Sequence, residues 1–441
     1  MATKVSAYLS MLERAQDARS NEPAWLRTLR QSAIGAFRRT GFPTTRDEEW
    51  RFTSVAPIAD TSFLPAPPAE VSAQDVAPFL VPGLDGPALV FVDGRFAPRL
   101  STLDTQVTGA TCLSLADALS KRPAALEPFL GRSASVDGRA FTALNTASFE
   151  DGAFISVADG AVIEPAIQVL FLSTLTPQPA ISHPRLLAVL GRNSQARIVE
   201  IFASLGASLG FTNAVAEFVV GEGAGLDHCR IQRESQTAFH IGQTQYRLDR
   251  SSRMSAHAMA LGGLIARTDA VAVLGGEGAD CTLNGLYLGG GVQLIDNHTE
   301  IDHARPHGTS RELYKGILDG RARGVFNGRI RVRPDAQKTD SKQTNKTLLL
   351  ADDAQVNTKP QLEIFANDVK CTHGATVGQL DADALFFLRA RGIGLEAARG
   401  MLIRAFLTDV TNRIGLDPLR AEIERLLAAR LPGAPAMEHA V

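Results

Sequence analysis

RNSQARIVEIFASLGASLGFTNAVAEFVVGEGAGL, residues 192–226, contains one full unit of a pattern that recurs along this chain. A polar turn, RNSQA, is followed by two short apolar runs that favour strands, ARIVEIFAS and AVAEFVVG, and then by a second polar turn, EGAGL. Similar turns recur as RSSRM at 250, EGADC at 277, GRARG at 320 and DDAQV at 352. The spacings are mostly 26 to 32 residues, with one longer interval near 43. Such a period, filled with strands and glycine turns, is typical of a β-solenoid, whose coils bury their inner faces by stacking.

An antiparallel β-sandwich is the alternative for a chain with many short strands. Its turns usually recur every 8–12 residues or so, which is far shorter than the spacing in this chain. The chain also has 38 glycines and only 6% aromatic residues, as expected for many tight turns and a narrow interior of Ala, Gly, Ser and Val. The periodicity therefore predicts a mainly β fold with a solenoid core.

Helical patterns lie on both sides of this core. AWLRTLRQSAIGAFRRTG, at 24–41, places Leu26, Leu29, Ala33 and Phe37 at helical spacing. PALVFVDGRFAP, at 87–98, has the alternation and the Asp-Gly turn of a hairpin. In the segment 395–414 one apolar stripe is formed by Leu395, Ala398, Leu402, Phe406, Val410 and Ile414. We predict an N-terminal helical domain with a small hairpin over 1–137, the β-solenoid over 138–378 and a C-terminal helical domain over 379–441.

Charge and hydropathy exclude several classes of protein. The formal net charge of −2 provides no global field for nucleic acid or an anionic membrane. No window has the roughly 20 uncharged apolar residues that a membrane span needs, and MATKVSAYLSMLERAQ at the N-terminus lacks a signal-peptide cleavage pattern. We expect a cytoplasmic protein that binds neither nucleic acid nor membrane.

Motifs for common catalytic and metal sites are absent from the sequence. It contains no GxxxxGK[ST], GxSxG or HExxH pattern, so we expect no P-loop of its own, and the absence of these motifs argues against enzymatic activity without excluding it. The four cysteines, at 112, 229, 281 and 371, include no pair at CxxC spacing. This excludes a structural zinc site built from one cysteine cluster and argues against a disulfide framework.

The histidines cluster in DNHTEIDHARPHG at 296–308. His298, His303 and His307, together with Asp296 and Asp302, could offer metal ligands. Because no three of them have a fixed ligand spacing, we favour a polar loop in which they satisfy backbone groups.

A basic segment covers 321–346, RARGVFNGRIRVRPDAQKTDSKQTNK. On a strand, Arg329, Arg331 and Arg333 would share one face. A nucleic-acid-binding solenoid is therefore one alternative function, although the segment has only one aromatic residue for base stacking. We favour a solvated or partner-facing surface.

Cys371 and His373, in DVKCTHGATVG, form the most specific candidate for a metal-binding pair. On a strand, residues i and i+2 share a face with α-carbons about 6.6 Å apart, so the thiolate and the imidazole could converge on one soft metal ion. Two ligands do not complete a tetrahedral zinc or an iron–sulfur centre, which needs about four. The pair therefore indicates a labile half-site completed by another chain, and a buried Cys beside a hydrogen-bonded His remains the alternative.

Three long segments resemble the SufB/SufD family of iron–sulfur cluster assembly proteins. They are GFPTTRDEEWRFTSVAPI at 41–58, FTALNTASFEDGAFISVADGAVIEPAIQV at 141–169, and HARPHGTSRELYKGILDGRARGVFNGRIRVRPDAQKTDSKQTNKTLLLADDAQVNTKPQLEIFANDVKCTHGATVGQLDADALFFLRARGI at 303–393. The ending VKCTHGATVGQLD with LFFLRARGI resembles the SufD branch of the family, since the SufB branch would show a Glu-His-Glu-Ala-Thr-type segment and more cysteines. One departure is Asn367, where the family more often has Asp.

The resemblance implies a right-handed parallel β-helix flanked by helical domains. It also implies a non-catalytic subunit that pairs with SufB and with the ATPase SufC, so that ATP would act only through SufC. Cys371 and His373 match the family positions implicated at the SufB–SufD interface, where iron or a nascent cluster is handled transiently. Leu395, Leu402 and Phe406 would belong to the SufC-docking domain.

Two further expectations concern partners and rival functions. A solenoid with an unpaired end makes a homodimer of the isolated chain the expectation. A β-helix enzyme acting on polysaccharides is the other alternative function, but such enzymes commonly need a groove with an exposed carboxylate and a basic cluster and are often secreted.

Overall fold

The computed structural model describes residues 2–17, 19, 22–103 and 107–431. Its core is a β-solenoid of about eight turns, with helices before and after it. In chain order the strands are β1 (Leu64–Pro65), β2 (Ala88–Val92), β3 (Arg95–Phe96), β4 (Ala110–Ser114), β5 (Gly152–Val157), β6 (Ile167–Ser173), β7 (Ala180–Ser182), β8 (Arg185–Leu190), β9 (Gln195–Ser204), β10 (Gly210–Val220), β11 (Gly225–Arg233), β12 (Phe239–Leu248), β13 (Arg253–Ala260), β14 (Ile265–Leu274), β15 (Asp280–Gly289), β16 (Leu294–His303), β17 (Thr309–Leu318), β18 (Arg323–Val332), β19 (Asp340–Leu349), β20 (Gln355–Ile364) and β21 (Lys370–Gly378). The helices are α1 (Ala2–Asp17), α2 (Ala24–Thr40), α3 (Ala56–Asp60), α4 (Ala73–Val76), α5 (Leu115–Lys121), α6 (Pro123–Leu126), α7 (Ala140–Ser148), α8 (Ala382–Ala390), α9 (Leu395–Thr411) and α10 (Asp417–Ala428). The predicted mainly β fold with a solenoid core is confirmed.

From β8 onwards, successive strands alternate between two sheets. The first sheet has the order β20-β18-β16-β14-β12-β10-β8-β5-β4, and the second has the order β21-β19-β17-β15-β13-β11-β9-β6-β2-β3. Strands within each sheet pair in parallel, except that β4 and β3 pair antiparallel with β5 and β2 at the ends. Each coil therefore contributes one strand to each sheet.

The register of the first sheet explains the period found in the sequence. Gln243, Asp269, His298, Asn327 and Lys359 are aligned on neighbouring strands, at spacings of 26, 29, 29 and 32 residues. The turns at 250 and 277 lead from the first sheet to the second, whereas those at 320 and 352 lead back. The interval near 43 therefore spans a full coil and part of the next, because it joins turns of two different series.

Residues with a left-handed backbone conformation stack at the turns that lead from the first sheet to the second. Asn193, Gly223 and Ser251 have φ values of 56°, 67° and 53°. Each donates its backbone N–H to a carbonyl of the next turn, and the series continues through Gly278 and His307. The repeated polar turns are thus a hydrogen-bonded ladder along one edge of the solenoid.

The interior of the solenoid is more polar than the composition predicts. Small and aliphatic side chains do fill much of it, as expected. The middle coils, however, also bury Arg230, whose Nε lies 3.3 Å from Glu200 Oε2 and whose Nη1 donates to Thr268 Oγ1 at 2.7 Å. Burial raises the pKa of Glu200 to about 7. In these coils, charged side chains therefore accompany the small and aliphatic residues that the composition predicts.

The N-terminal part packs against the first sheet. Leu26, Ala33 and Phe37 of α2 are buried as predicted, and α2 packs on α7, which lies against β10. The predicted hairpin is present as β2 and β3, and Asp93 and Gly94 at its turn have φ values of 48° and 80°. Since β2 also pairs with β6, this hairpin extends the second sheet, and the three-part division at 137 and 378 stays a prediction.

The C-terminal helices cover the outer face of the second sheet. The apolar residues that α9 buries, with Ile414 just beyond it, are Ala398, Ile403, Leu407, Val410 and Ile414. The predicted stripe is therefore wrong in part, because Leu395 is 42% exposed and Leu402 and Phe406 are half-buried at its side. In the described ranges, none of the helices has the length and apolar character of a membrane span.

Candidate functional site

The solenoid ends at the strands β20 and β21. Among the described residues, β20 pairs only with β18 and β21 only with β19. Three large apolar side chains in or beside these strands, Ile364, Phe365 and Val377, are 39%, 58% and 46% exposed. Exposed edges with apolar side chains are rare in isolated proteins because they invite further strand pairing. The last coil therefore has the character of an interaction surface.

Cys371 and His373 lie on β21, as the sequence predicts. Cys371 is aligned with Ser341, and His373 with Gln343, so both continue columns of side chains that face the interior of the solenoid. Cys371 is half-buried and packs against a small cluster that includes Ile330 and Val332 of the first sheet, whereas His373 is exposed. The two side chains share a face at the open end of the solenoid.

The thiol of Cys371 is only partly withdrawn from solvent. Partial burial and the Asp340 carboxylate raise its pKa, while a hydrogen bond with the Ser341 backbone lowers it. In the described ranges, no group of three or more His, Cys, Asp or Glu side chains is arranged to hold a metal ion. Cys371 and His373 can thus offer one sulfur and one nitrogen ligand.

Polar side chains line the columns directly behind these two residues. Gln343 Nε2 donates to Glu312 Oε2 at 2.7 Å, and burial raises the pKa of Glu312 to about 7. In the other column, the Ser341 and Ser310 hydroxyl oxygens lie 2.7 Å apart, and Ser310 Oγ lies 2.9 Å from His303 Nε2. Sequence reasoning missed these residues, although the coil period of about 30 residues links them to Cys371 and His373.

The histidine cluster separates into three different environments. Asp296, His298 and His303 lie on strand β16 rather than in the polar loop that we favoured, because the strand runs to His303. His298 lies on the outer face, with Nε2 3.1 Å from Asp296 Oδ1 and Nδ1 3.3 Å from Glu49 Oε2. His303 is fully buried, and His307 lies in an exposed turn. Their partners are mainly side chains, and the three imidazoles do not converge.

The basic segment has less free charge than its sequence indicates. Arg329, Arg331 and Arg333 alternate along β18 and the residue after it, as predicted. Arg329 makes ion pairs with three carboxylates, the shortest to Glu49 at 2.7 Å, and Arg333 pairs with Asp302 at 2.7 Å. This compensation weighs against a phosphate-binding surface.

The three residues predicted for partner docking differ in exposure. Phe406 lies under Lys315, whose Nζ is 4.5 Å from the ring centre and donates to the Phe406 carbonyl. Leu395 is exposed at the start of α9, close in sequence to Phe386 and Phe387 of α8, which are 74% and 55% exposed. Sequence reasoning missed this aromatic pair, for which the adjacent phenylalanines in DALFFLRA are the signal.

Comparisons with known proteins agree with this architecture. The family model described as "SUF system FeS cluster assembly, SufBD core domain" matches residues 173–406, and the "SufBD protein N-terminal region" model matches 3–169. The chain is 33% identical to the iron–sulfur cluster assembly protein SufD of Escherichia coli, over 90% of each chain. It is 32% identical to a SufBD family protein of Synechocystis, over 97% of this chain and 96% of that one. It is 31% identical to the chloroplastic protein ABCI7 of Arabidopsis thaliana, over 95% of this chain and 90% of that one.

Proposed function

Since the chain belongs to the SufBD family of iron–sulfur cluster assembly proteins and is a homologue of SufD, we propose that it is a non-catalytic subunit of the assembly scaffold. In this proposal it pairs with SufB, binds the ATPase SufC and works in the cytoplasm. Iron or a nascent cluster is the cargo of the complex and is not held stably by this chain alone.

One observation supports this proposal above the others: Cys371 and His373 share a face at the open end of the solenoid. A thiolate and an imidazole suit iron, and two ligands leave the remaining coordination positions free for SufB. A pair with few protein ligands holds its metal weakly, which suits a site that must pass a cluster on.

The open edges offer the surface for SufB. An incoming strand could pair with β20 or β21, and apolar side chains such as Phe365 and Val377 would be covered in the same step. In the absence of SufB, the same edges suit a second copy of this chain, which is how the isolated protein would form a homodimer.

The C-terminal helices offer the surface for SufC. Leu395, with the exposed Phe386 and Phe387, presents apolar area at the start of α9, while Leu402 and Phe406 lie half-buried beside the second sheet. ATP hydrolysis by SufC would then act on the core through helices that pack directly on it.

Cluster assembly by the complex of this chain with SufB and SufC tests the proposal. Cys371→Ala and His373→Ala should lower the amount of cluster, measured by visible absorbance and bound iron, and leave co-purification of all three proteins unchanged. Thr372→Ala is the matched control, since this residue is exposed on the same strand but faces the other way. Normal assembly in both variants would overturn the site, and failure to co-purify the wild-type chain with SufB and SufC would overturn the function.

A further inference from the structure

A cleft of about 250 Å³ lies on the outer face of the first sheet, between the solenoid and two segments of the N-terminal part. Its floor includes Gln243, Asp269 and His298. Glu49 and Trp50 line it together with the residues 137–142, and the rings of Trp50 and Phe141 pack against each other with their centres 5.3 Å apart. Nothing in the proposed role of Cys371 and His373 uses this cleft, which lies on other coils and on the other sheet.

The N-terminus of helix α7 opens into the cleft. The helix has nine residues and begins at Ala140, and neither a capping side chain nor an acidic residue in the first turn accompanies its start. The first N–H groups of any helix have no partner within the helix and carry partial positive charge. Ala140, Phe141 and Thr142, which bear these groups, all line the cleft. Helix starts of this kind bind anions when a suitable anion is within reach.

Gln243 supplies an independent observation at the same place. Its side chain is 7% exposed, and its Oε1 accepts a hydrogen bond from Arg139 Nη1 at 2.8 Å. This contact fixes the orientation of the amide, and the other end of the amide, Nε2, has no hydrogen-bond partner among the described residues. A buried donor without an acceptor is costly, so an acceptor supplied by a ligand would be favourable here.

The charges around the cleft leave positive charge at the α7 end. Arg267 is neutralised by Asp269 and Asp296, and Arg329 is neutralised mainly by Glu49. Arg139 makes no ion pair in the described part of the chain, and the carboxylate of Asp137, which also lines the cleft, pairs with Arg39 at 3.5 Å. The helix start, the orphaned amide N–H and this guanidinium therefore present donors to the same space.

We propose that this cleft binds a small oxyanion, a carboxylate or a phosphate group, held by Arg139, by Gln243 Nε2 and by the N-terminus of α7. A guanidinium and backbone N–H groups are the donors that both kinds of oxyanion accept. The cleft is larger than a single oxyanion, so the anionic group can belong to a small organic molecule. Glu49 and Trp50 would then face the body of that molecule.

Fluorescence of Trp50 provides the test, since the chain has two tryptophans and Trp25→Phe leaves Trp50 alone in the cleft wall. The Trp25→Phe protein is titrated with inorganic phosphate in one arm and with succinate in the other, at constant ionic strength. A saturable change in either arm, matched by calorimetry, supports the site and identifies the kind of oxyanion. No saturable response in either arm would overturn the inference.

Two variants decide whether the named donors carry the binding. Gln243→Glu keeps the acceptor for Arg139 but replaces the free N–H by a negative oxygen, and Arg139→Gln removes the charge. Each should raise Kd by about tenfold or more, because hydrogen bonds to charged groups are strong. Arg132→Gln, a change at an exposed arginine of the same loop, should leave Kd unchanged. Unchanged affinity in Gln243→Glu and Arg139→Gln, with far-UV circular dichroism like that of the parent, would exclude this site.

Discussion

Two cysteines show how position along the solenoid determines what the same side chain can do. Cys281 and Cys371 occupy one inward-facing column, which runs through Ser310 and Ser341. Cys281 has a coil on either side and is fully buried, and burial raises the pKa of its thiol well above the usual range. Cys371 has one neighbouring strand and is only half-buried. Because the two share a column, the difference comes from the end of the solenoid.

Two histidines in the adjacent inward-facing column show the same difference between a middle coil and the last coil. His228 is buried in a middle coil, with Nδ1 2.7 Å from the Tyr246 hydroxyl, and burial lowers its pKa to about 3. His373 ends the same column and is exposed. Polar groups inside the solenoid thus serve the structure in the middle coils and become available for chemistry at the last one.

The largest expected effect on stability comes from the middle coils. Arg230→Met removes the guanidinium that pairs with the buried Glu200 carboxylate at 3.3 Å, leaving that carboxylate without its arginine partner. Breaking a buried ion pair costs about 3–5 kcal/mol, so urea unfolding should shift by that amount. Arg247→Met, at an exposed ion pair of strand β12, is the control and should shift by about 0.5 kcal/mol or less. Equal shifts for the two variants would contradict the contrast between interior and surface.

Thiol labelling tests the cysteine comparison directly. Cys371 should react at least about 100-fold faster than Cys281 and Cys229, because the latter react only after an opening that costs roughly 3 kcal/mol or more. Labelling is followed with a chromogenic disulfide in a Cys112→Ser background, since Cys112 is also only partly buried. In that background Cys371→Ser should remove the fast phase. A fast phase that persists in this variant would show that a middle coil is open. Addition of SufB should slow the labelling of Cys371 if the last coil is the interface.

Much of the fold could be predicted from the sequence, because the same left-handed backbone conformation recurs at the turns of successive coils. Gly223 and Gly278 adopt left-handed backbone conformations. Because glycine reaches these conformations without steric cost, glycines at such positions indicate turns in a sequence. The turns near 307 and 338 escaped detection because their left-handed residues are His307 and Lys338, whereas the recognised turns carry residue types that are common in turns, namely Gly, Asn or Ser. The period was therefore visible in some coils and hidden in others.

The candidate site could be predicted only in part. Alternation along one strand suffices to bring Cys371 and His373 to one face. The polar column behind them depends on the register between strands some 30 residues apart, which a single strand does not determine. The buried face of α9 is likewise set by its contact with the second sheet, which selects Ile403 and Leu407 over the neighbouring Leu402 and Phe406.

A pH titration extends the comparison of the histidines. Folded His228 stays neutral down to about pH 3, whereas the unfolded chain takes up this proton near pH 6.5. Protonation therefore favours the unfolded state, and stability falls as the pH decreases from 6.5 towards 3, by about 1.4 kcal/mol per unit for this residue. The slope of unfolding free energy against pH should decrease in His228→Gln. Identical slopes in wild type and His228→Gln would exclude His228 as the source.

The smallest expected effect on stability concerns the contact between the N-terminal segment and the last coil. Glu48, in the N-terminal segment, pairs with Lys359 of β20 at 2.6 Å, and the Glu48 side chain is largely exposed whereas that of Lys359 is about one-third exposed. Glu48→Gln should therefore change global stability by about 1 kcal/mol or less, while hydrogen exchange of the β20 amides becomes faster. Lys121→Gln, which removes an exposed ion pair in α5, should leave that exchange unchanged. Faster exchange of β20 in Glu48→Gln alone would mean that the N-terminal segment steadies the last coil, and equal exchange in both variants would mean that β18 alone does so.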